Sequence, residues 1–176
     1  MLPPNMAQPS ILLVGNCQRH EMSPIRDWIN SLGQQASVRQ TRKLSSDTLL
    51  DAPDFVIICQ SWPDEFSATE VSAALGRWPL ALWVCCYGAW CDSDGRTRTI
   101  WPISVRVPAG EAAGRLQHAW RILAEQQSDP LPLTASRDEA FEFDHCHDAA
   151  SLGNADGDQP IACRQVVEKS KACATP

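Results

Sequence analysis

Phe55-Val56-Ile57-Ile58-Cys59 runs five residues without a polar side chain, three of them β-branched, between Pro53-Asp54 and Gln60-Ser61. A strand with one wet face alternates apolar and polar residues, so an unbroken apolar run indicates a strand covered on both faces. Working outward, Leu80 to Cys86 is a second such run. Ile11 to Val14 is a third, closed by the turn dipeptide Gly15-Asn16. Ile103 to Val107 reads as a further strand, and Ala36 to Gln40 as a short edge strand. Helical patterns lie between them. Ser23-Pro24 places a capping residue before a proline that is tolerated in a first turn, Ile25, Trp28, Ile29 and Leu32 follow at helical spacing, and Gly33 ends the pattern. Ser67-Ala-Thr-Glu70 is a capping box ahead of Val71, Ala74 and Leu75. Ala109 to Gln126 closes the series with Ala112, Leu116, Ala119, Trp120 and Leu123 on one face, and Leu44 to Leu50 could hold a brief helix. Strands alternating with helices predict an α/β domain, a doubly wound five-stranded parallel sheet with helices on both faces.

The 176 residues suit one ordinary domain with an appendage. Residues 1–10 read as an N-terminal extension, 11–126 as the domain, and 127–176 as an acidic linker and tail, largely disordered. The charge supports that division. Residues 1–128 carry 11 Lys/Arg against 12 Asp/Glu, and residues 129–176 carry 4 against 9. A near-neutral body with an acidic tail has no electrostatic footprint for nucleic acid or anionic lipid. Met1 to Ser10 lacks the basic and apolar regions of a secretory signal, and no apolar run is long enough to span a membrane. Of the eight cysteines, Cys59, Cys85 and Cys86 sit in apolar strands, where a free thiol packs as a small hydrophobe. A cytoplasmic protein with reduced thiols is expected.

Ile11-Leu-Leu-Val14, Pro53-Asp54-Phe-Val-Ile-Ile58, Pro79-Leu80 and Val107-Pro108, in that order with helices between, resemble the receiver domain of bacterial response regulators over residues 10–126. The resemblance implies a site at the ends of the strands. It would hold an acidic pair after the first strand for Mg²⁺, an acceptor aspartate ending the third, a Ser or Thr ending the fourth, and a Lys before a Pro after the fifth. Magnesium demands hard oxygen ligands and phosphoryl oxygens need cationic stabilisation. At the matching positions stand Gly15 and Asn16, Cys59, Val84 or Cys85 depending on register, and Val107, so the expectation is a degenerate, pseudo-receiver site. Arg106, one residue before Val107, would face the other side of the sheet. From Tyr87 to Thr99 there is no helical period, and the fourth helix of such a domain is expected to be replaced by a loop.

Other chemistries fit the same residues less well. Cys59 lies at a strand end, where open α/β sheets bind ligands, but no cation precedes or follows it to lower a thiol pKa. A buried core cysteine is the expectation. Cys85, Cys86 and Cys91, or His145-Cys146-His147, lack the paired spacings of structural zinc. Asp92-Ser-Asp-Gly95 opens like an EF-hand loop, but no glutamate closes it at the twelfth position. No cofactor or metal is expected.

The tryptophans are more open. Trp28, Trp78, Trp83 and Trp120 fit helix or strand positions, whereas Trp62, Trp90 and Trp101 fall in or beside loops. They either cover the upper edge of the sheet or form a binding patch. Loops after parallel strands leave the same end, so Trp62, Phe66, Tyr87, Trp90, Arg96 and Arg98 would share one rim. The functional expectation is a non-catalytic regulatory or interaction module whose rim meets a protein partner or the chain's own acidic tail. The alternatives are a small cysteine-based redox sensor or enzyme, or a fragment of a two-domain regulatory protein with a hinge near Thr134 to His145. Ser136-Arg-Asp-Glu139 is a further capping box that could start a short helix.

Overall fold

The computed structural model describes residues 8–44, 51–94, 100–125 and 130–143. Five strands form one sheet: β1 (Ser10–Gly15), β2 (Ser37–Thr41), β3 (Phe55–Gln60), β4 (Leu82–Tyr87) and β5 (Arg106–Pro108). Every pairing is parallel, and the spatial order is β2-β1-β3-β4-β5. This is the flavodoxin-like doubly wound order. Its direction of winding reverses between β1 and β3, leaving a crevice at their carboxyl ends.

The apolar runs are explained by what lies on each face. Ile11, Leu13, Phe55, Ile57, Cys59, Cys86 and Val107 point to one layer, with α1 (Ser23–Leu32) and α3 (Ala112–Glu125). Leu12, Val14, Val56, Ile58, Trp83 and Cys85 point to the other, with α2 (Ala68–Arg77). Alternate residues therefore serve opposite cores, and no position along β3 is left for a solvated side chain. Each large apolar side chain so buried stabilises the fold by about 1.5–3 kcal/mol. Trp28 anchors the first layer, edge-on to Phe55 and Trp120 with its indole N–H donated to Gln117 Oε1 at 3.1 Å. The α2 capping box forms as the sequence predicts: Glu70 N–H donates to Ser67 Oγ, and Ser67 N–H to the Glu70 carboxylate.

Several boundaries differ from the sequence reading. The last strand is only three residues long, because Ile103–Val105 forms a 3-10 turn. Pro102 has no N–H to pair, and the Ser104 carbonyl is taken by the buried Arg115 guanidinium, so pairing with β4 starts at Arg106. Strand β4 starts at Leu82 rather than Leu80, since Ala81 N–H closes a turn on Trp78 O and Leu80 is left 96% exposed. Met22, at the end of a 3-10 turn, holds the N-cap position of α1 in place of Ser23.

The compact body also extends past residue 126, to Ala140. Ala135 and Ala140 are buried, and Ser104 Oγ donates to Leu133 O at 3.1 Å. A fourth helix, α4 (residues 137–143), starts from the Ser136/Glu139 capping box. A second unit, residues 141–176, is described only as far as residue 143. The expected disordered tail beyond it, the brief helix over 45–50 and the 95–99 part of the expected loop lie outside the described residues. Among the described residues no helix is long and apolar enough to cross a membrane.

Candidate functional site

The strand registers place Gly15, Cys59, Cys86 and Val107 side by side in one row across the carboxyl ends of β1, β3, β4 and β5. This row is the floor of the crevice. Gly15 takes φ +99°, and a Cβ there would collide with the Cys59 carbonyl oxygen, so β1 and β3 close on each other with no room for a side chain. Cys59 has no exposed surface, and burial, with smaller contributions from Cys17 and Glu65, pushes its thiol up to about 12. Burial likewise raises Cys86 well above the ordinary thiol range. At neutral pH both are protonated hydrophobes, which makes them poor nucleophiles and poor metal ligands.

Val84 or Cys85 is the expected fourth-strand position of this row, and the register corrects both. Cys86 is the neighbour, while Cys85 pairs with Ile58 and Arg106 in the row behind and faces α2. Arg106 does lie on the opposite face from Val107. Asn16 sits just past the floor and turns its Oδ1 to the Gln18 N–H at 3.2 Å, a local turn contact. Among the described residues no three His, Cys, Asp or Glu side chains are placed to hold a metal ion.

Beyond the floor, the loops are held by one buried amide. Gln60 Nε2 donates to the carbonyls of Trp62 (3.0 Å) and Pro63 (3.3 Å), and its Oε1 accepts from Trp101 Nε1 at 3.0 Å. Glu65 Oε2 accepts from the N–H of Ser61 (2.7 Å) and of Trp62 (3.3 Å). These bonds satisfy the backbone of a tight loop from within, so the Trp62 side chain is turned outward. On the β4 side, Gly88 N–H donates to Gln60 O at 2.8 Å and opens the 3-10 turn Ala89–Cys91, which presents Trp90. Arg106 Nη2 donates to Cys91 O at 2.7 Å while its guanidinium lies 4.4 Å from the centre of the Tyr87 ring.

The result is an aromatic rim. Trp62 and Trp90 stack with centroids 5.9 Å apart and planes 25° from parallel, yet are 44% and 68% exposed. The Arg19 guanidinium lies 5.2 Å from the centre of the Trp62 ring. Of the rim residues expected from sequence, these two tryptophans come together, and Tyr87 is half-buried with Arg106 on its ring. Phe66 is not part of the surface: it packs edge-on to Trp101 in the α2-side core, because the loop folds back at Glu65. Trp101 is buried with it and covers the sheet. Arg96 and Arg98 lie outside the described residues.

Arg19, Glu21, Gln60 and Glu65 were missed. A signal existed for the first two, since the loop after β1 must leave the same end of a parallel sheet as the other loops. Glu21 reaches Gly88 so closely that a Cβ at Gly88 would collide with its carboxylate. Gln60 bore no such signal, as its role depends on an indole 41 residues away. No protein-family model, curated protein or solved structure matches the chain.

Proposed function

We propose that the protein is a receiver-like module that acts by binding, without phosphoryl chemistry. The observation that carries this reading is the pairing of a closed floor with an open rim. Where a phosphoryl site would need carboxylates and a lysine, the row Gly15–Cys59–Cys86–Val107 offers two buried thiols, an aliphatic side chain and a backbone contact too tight for any Cβ. Past it, two stacked tryptophans keep about half or more of their surface in water. Large aromatics left exposed in rigid loops are the composition of a recognition surface. The high thiol pKa at Cys59 weighs against the cysteine-based alternative.

The test combines acetyl phosphate with Mg²⁺, followed by intact mass, and maleimide labelling of the folded chain. No phosphoryl adduct should form, and Cys59 should label only as fast as the protein unfolds. Cys59→Asp alone should not create an acceptor, because the metal ligands are still lacking. A stable phospho-aspartate, or rapid labelling of Cys59 at neutral pH, would sink the reading.

A further inference from the structure

The charges around the rim specify what kind of partner it fits. Three carboxylates converge on the turn that carries Trp90. Glu21 lies against Gly88, Glu65 caps the Trp62 loop, and Asp94 is buried with one carboxylate oxygen, Oδ2, lacking any hydrogen-bond partner. Asp92, exposed two residues after Trp90, adds a fourth. Arg19 and Arg106 are already engaged, on Trp62 and on Tyr87 with the Cys91 carbonyl, and Arg137 acts on the Tyr87 side of the rim, away from Trp90 and Asp92 in the chain. Cys91, which ends the turn, reports the balance: burial first, then Asp94 and Glu65, and more weakly Glu21, raise its thiol, with Arg106 the one opposing charge. The surface therefore offers aromatic faces set among carboxylates, and the fold already places a guanidinium on each of two neighbouring rings. Aromatic faces attract cations through the ring quadrupole, and nearby carboxylates add to that attraction.

We propose that this rim receives a basic segment of a protein partner, with an arginine or lysine side chain laid along the exposed face of Trp90 and its charge met by Glu21 and Asp92. The proposal rests on the reading of the rim as a binding surface, and it selects a cationic occupant over an acidic one such as residues 144–176 of the chain itself.

The experiment titrates the full chain with hexa-arginine and, separately, with hexa-glutamate, following the indole N–H resonances of Trp62 and Trp90 by NMR. Hexa-arginine should shift both resonances, and its affinity should weaken as salt rises from about 0.05 to 0.3 M. Trp90→Ala should lower that affinity about threefold or more, as loss of an exposed cation–π contact does. Glu21→Gln should lower it as well, and Leu80→Ala, at the opposite end of β4, should leave it unchanged. Hexa-arginine binding that Trp90→Ala does not alter would place the peptide on the acidic tail and overturn the proposal. So would shifts of the same resonances by hexa-glutamate, or shifts by neither peptide. These outcomes are independent of the phosphate and thiol assays, whose failure would instead remove the reading of the domain as non-catalytic.

Discussion

Trp78 and Trp83 stack with ring centres 6.1 Å apart and planes 30° from parallel, and Trp62 and Trp90 stack at 5.9 Å and 25°. The first pair is buried, at 4% and 7% exposure, beneath the end of α2 and against Trp101, while the second stands in water. Similar ring geometry thus coexists with opposite environments. The buried pair is held by the removal of apolar surface from water and by the Trp83 indole donating to Trp78 O at 3.3 Å. The exposed pair is held by its loops, whose backbones are tied down by Gln60 and Glu65. Stacking geometry alone does not tell a core contact from a binding surface. Exposure, and what fixes the backbone beneath the rings, does.

The comparison is most easily broken by truncating one ring of each pair. Trp83→Ala should cost about 3–5 kcal/mol in urea unfolding, as buried aromatic truncations do. Trp90→Ala should stay within about 1 kcal/mol. Equal losses would make the rim a second core and end the distinction. Next in size is the floor under the rim. Gly15→Ala forces a positive φ on an L side chain and a Cβ into the Cys59 carbonyl, and should cost about 2–4 kcal/mol. A cost below about 1 kcal/mol would mean that the crevice can open.

Gln60 joins the two regions, since its amide ties the Trp62 loop to Trp101, and Trp101 packs on Trp83. Gln60→Leu should leave a buried indole N–H without an acceptor and cost about 1–3 kcal/mol. It should also loosen Trp62, seen as faster fluorescence quenching by iodide. Loss of stability with unchanged quenching would show that Glu65 alone fixes the loop.

The last expected effect is spread over pH. A thiol in an ordinary environment ionises near 9.0, and burial pushes Cys59 up to about 12 in the folded protein. The folded state keeps that proton longer, so the contribution is intact below about pH 9 and is lost as pH rises from there toward 12. Stability should fall in that window by about 1.4 kcal/mol per pH unit for this thiol. The decline should be shallower by that amount in Cys59→Ala, measured by urea unfolding between pH 8 and 10.5. Identical slopes would mean that Cys59 is hydrated in the folded protein.

The parallel sheet and the two-faced burial of β1, β3 and β4 were legible because a continuous apolar run has few homes other than the middle of a parallel sheet. The α2 capping box and the lack of carboxylates in the strands were legible for a similar reason, as both depend on residue type at short spacing. The register of β4 was not, since Val84 or Cys85 is expected where Cys86 stands, and a one-residue register shift turns every side chain to the other face. The early end of β5 likewise depended on Arg115, which reaches it only in the folded chain.

By itself, then, the sequence determined an α/β fold, a crevice without carboxylates on its strands, and loops rich in tryptophan at one end of the sheet. Tertiary structure alone decided which of those tryptophans face water. Phe66 and Trp101 have the same loop composition around them as Trp62 and Trp90, and they are buried because the backbone turns back at Glu65 and Pro102. Glu65 ties its own loop locally, through the N–H groups of Ser61 and Trp62, but the bonds that join the loops, Trp101 to Gln60 and Arg106 to Cys91, come from residues distant in the chain, and local residue preference does not encode them.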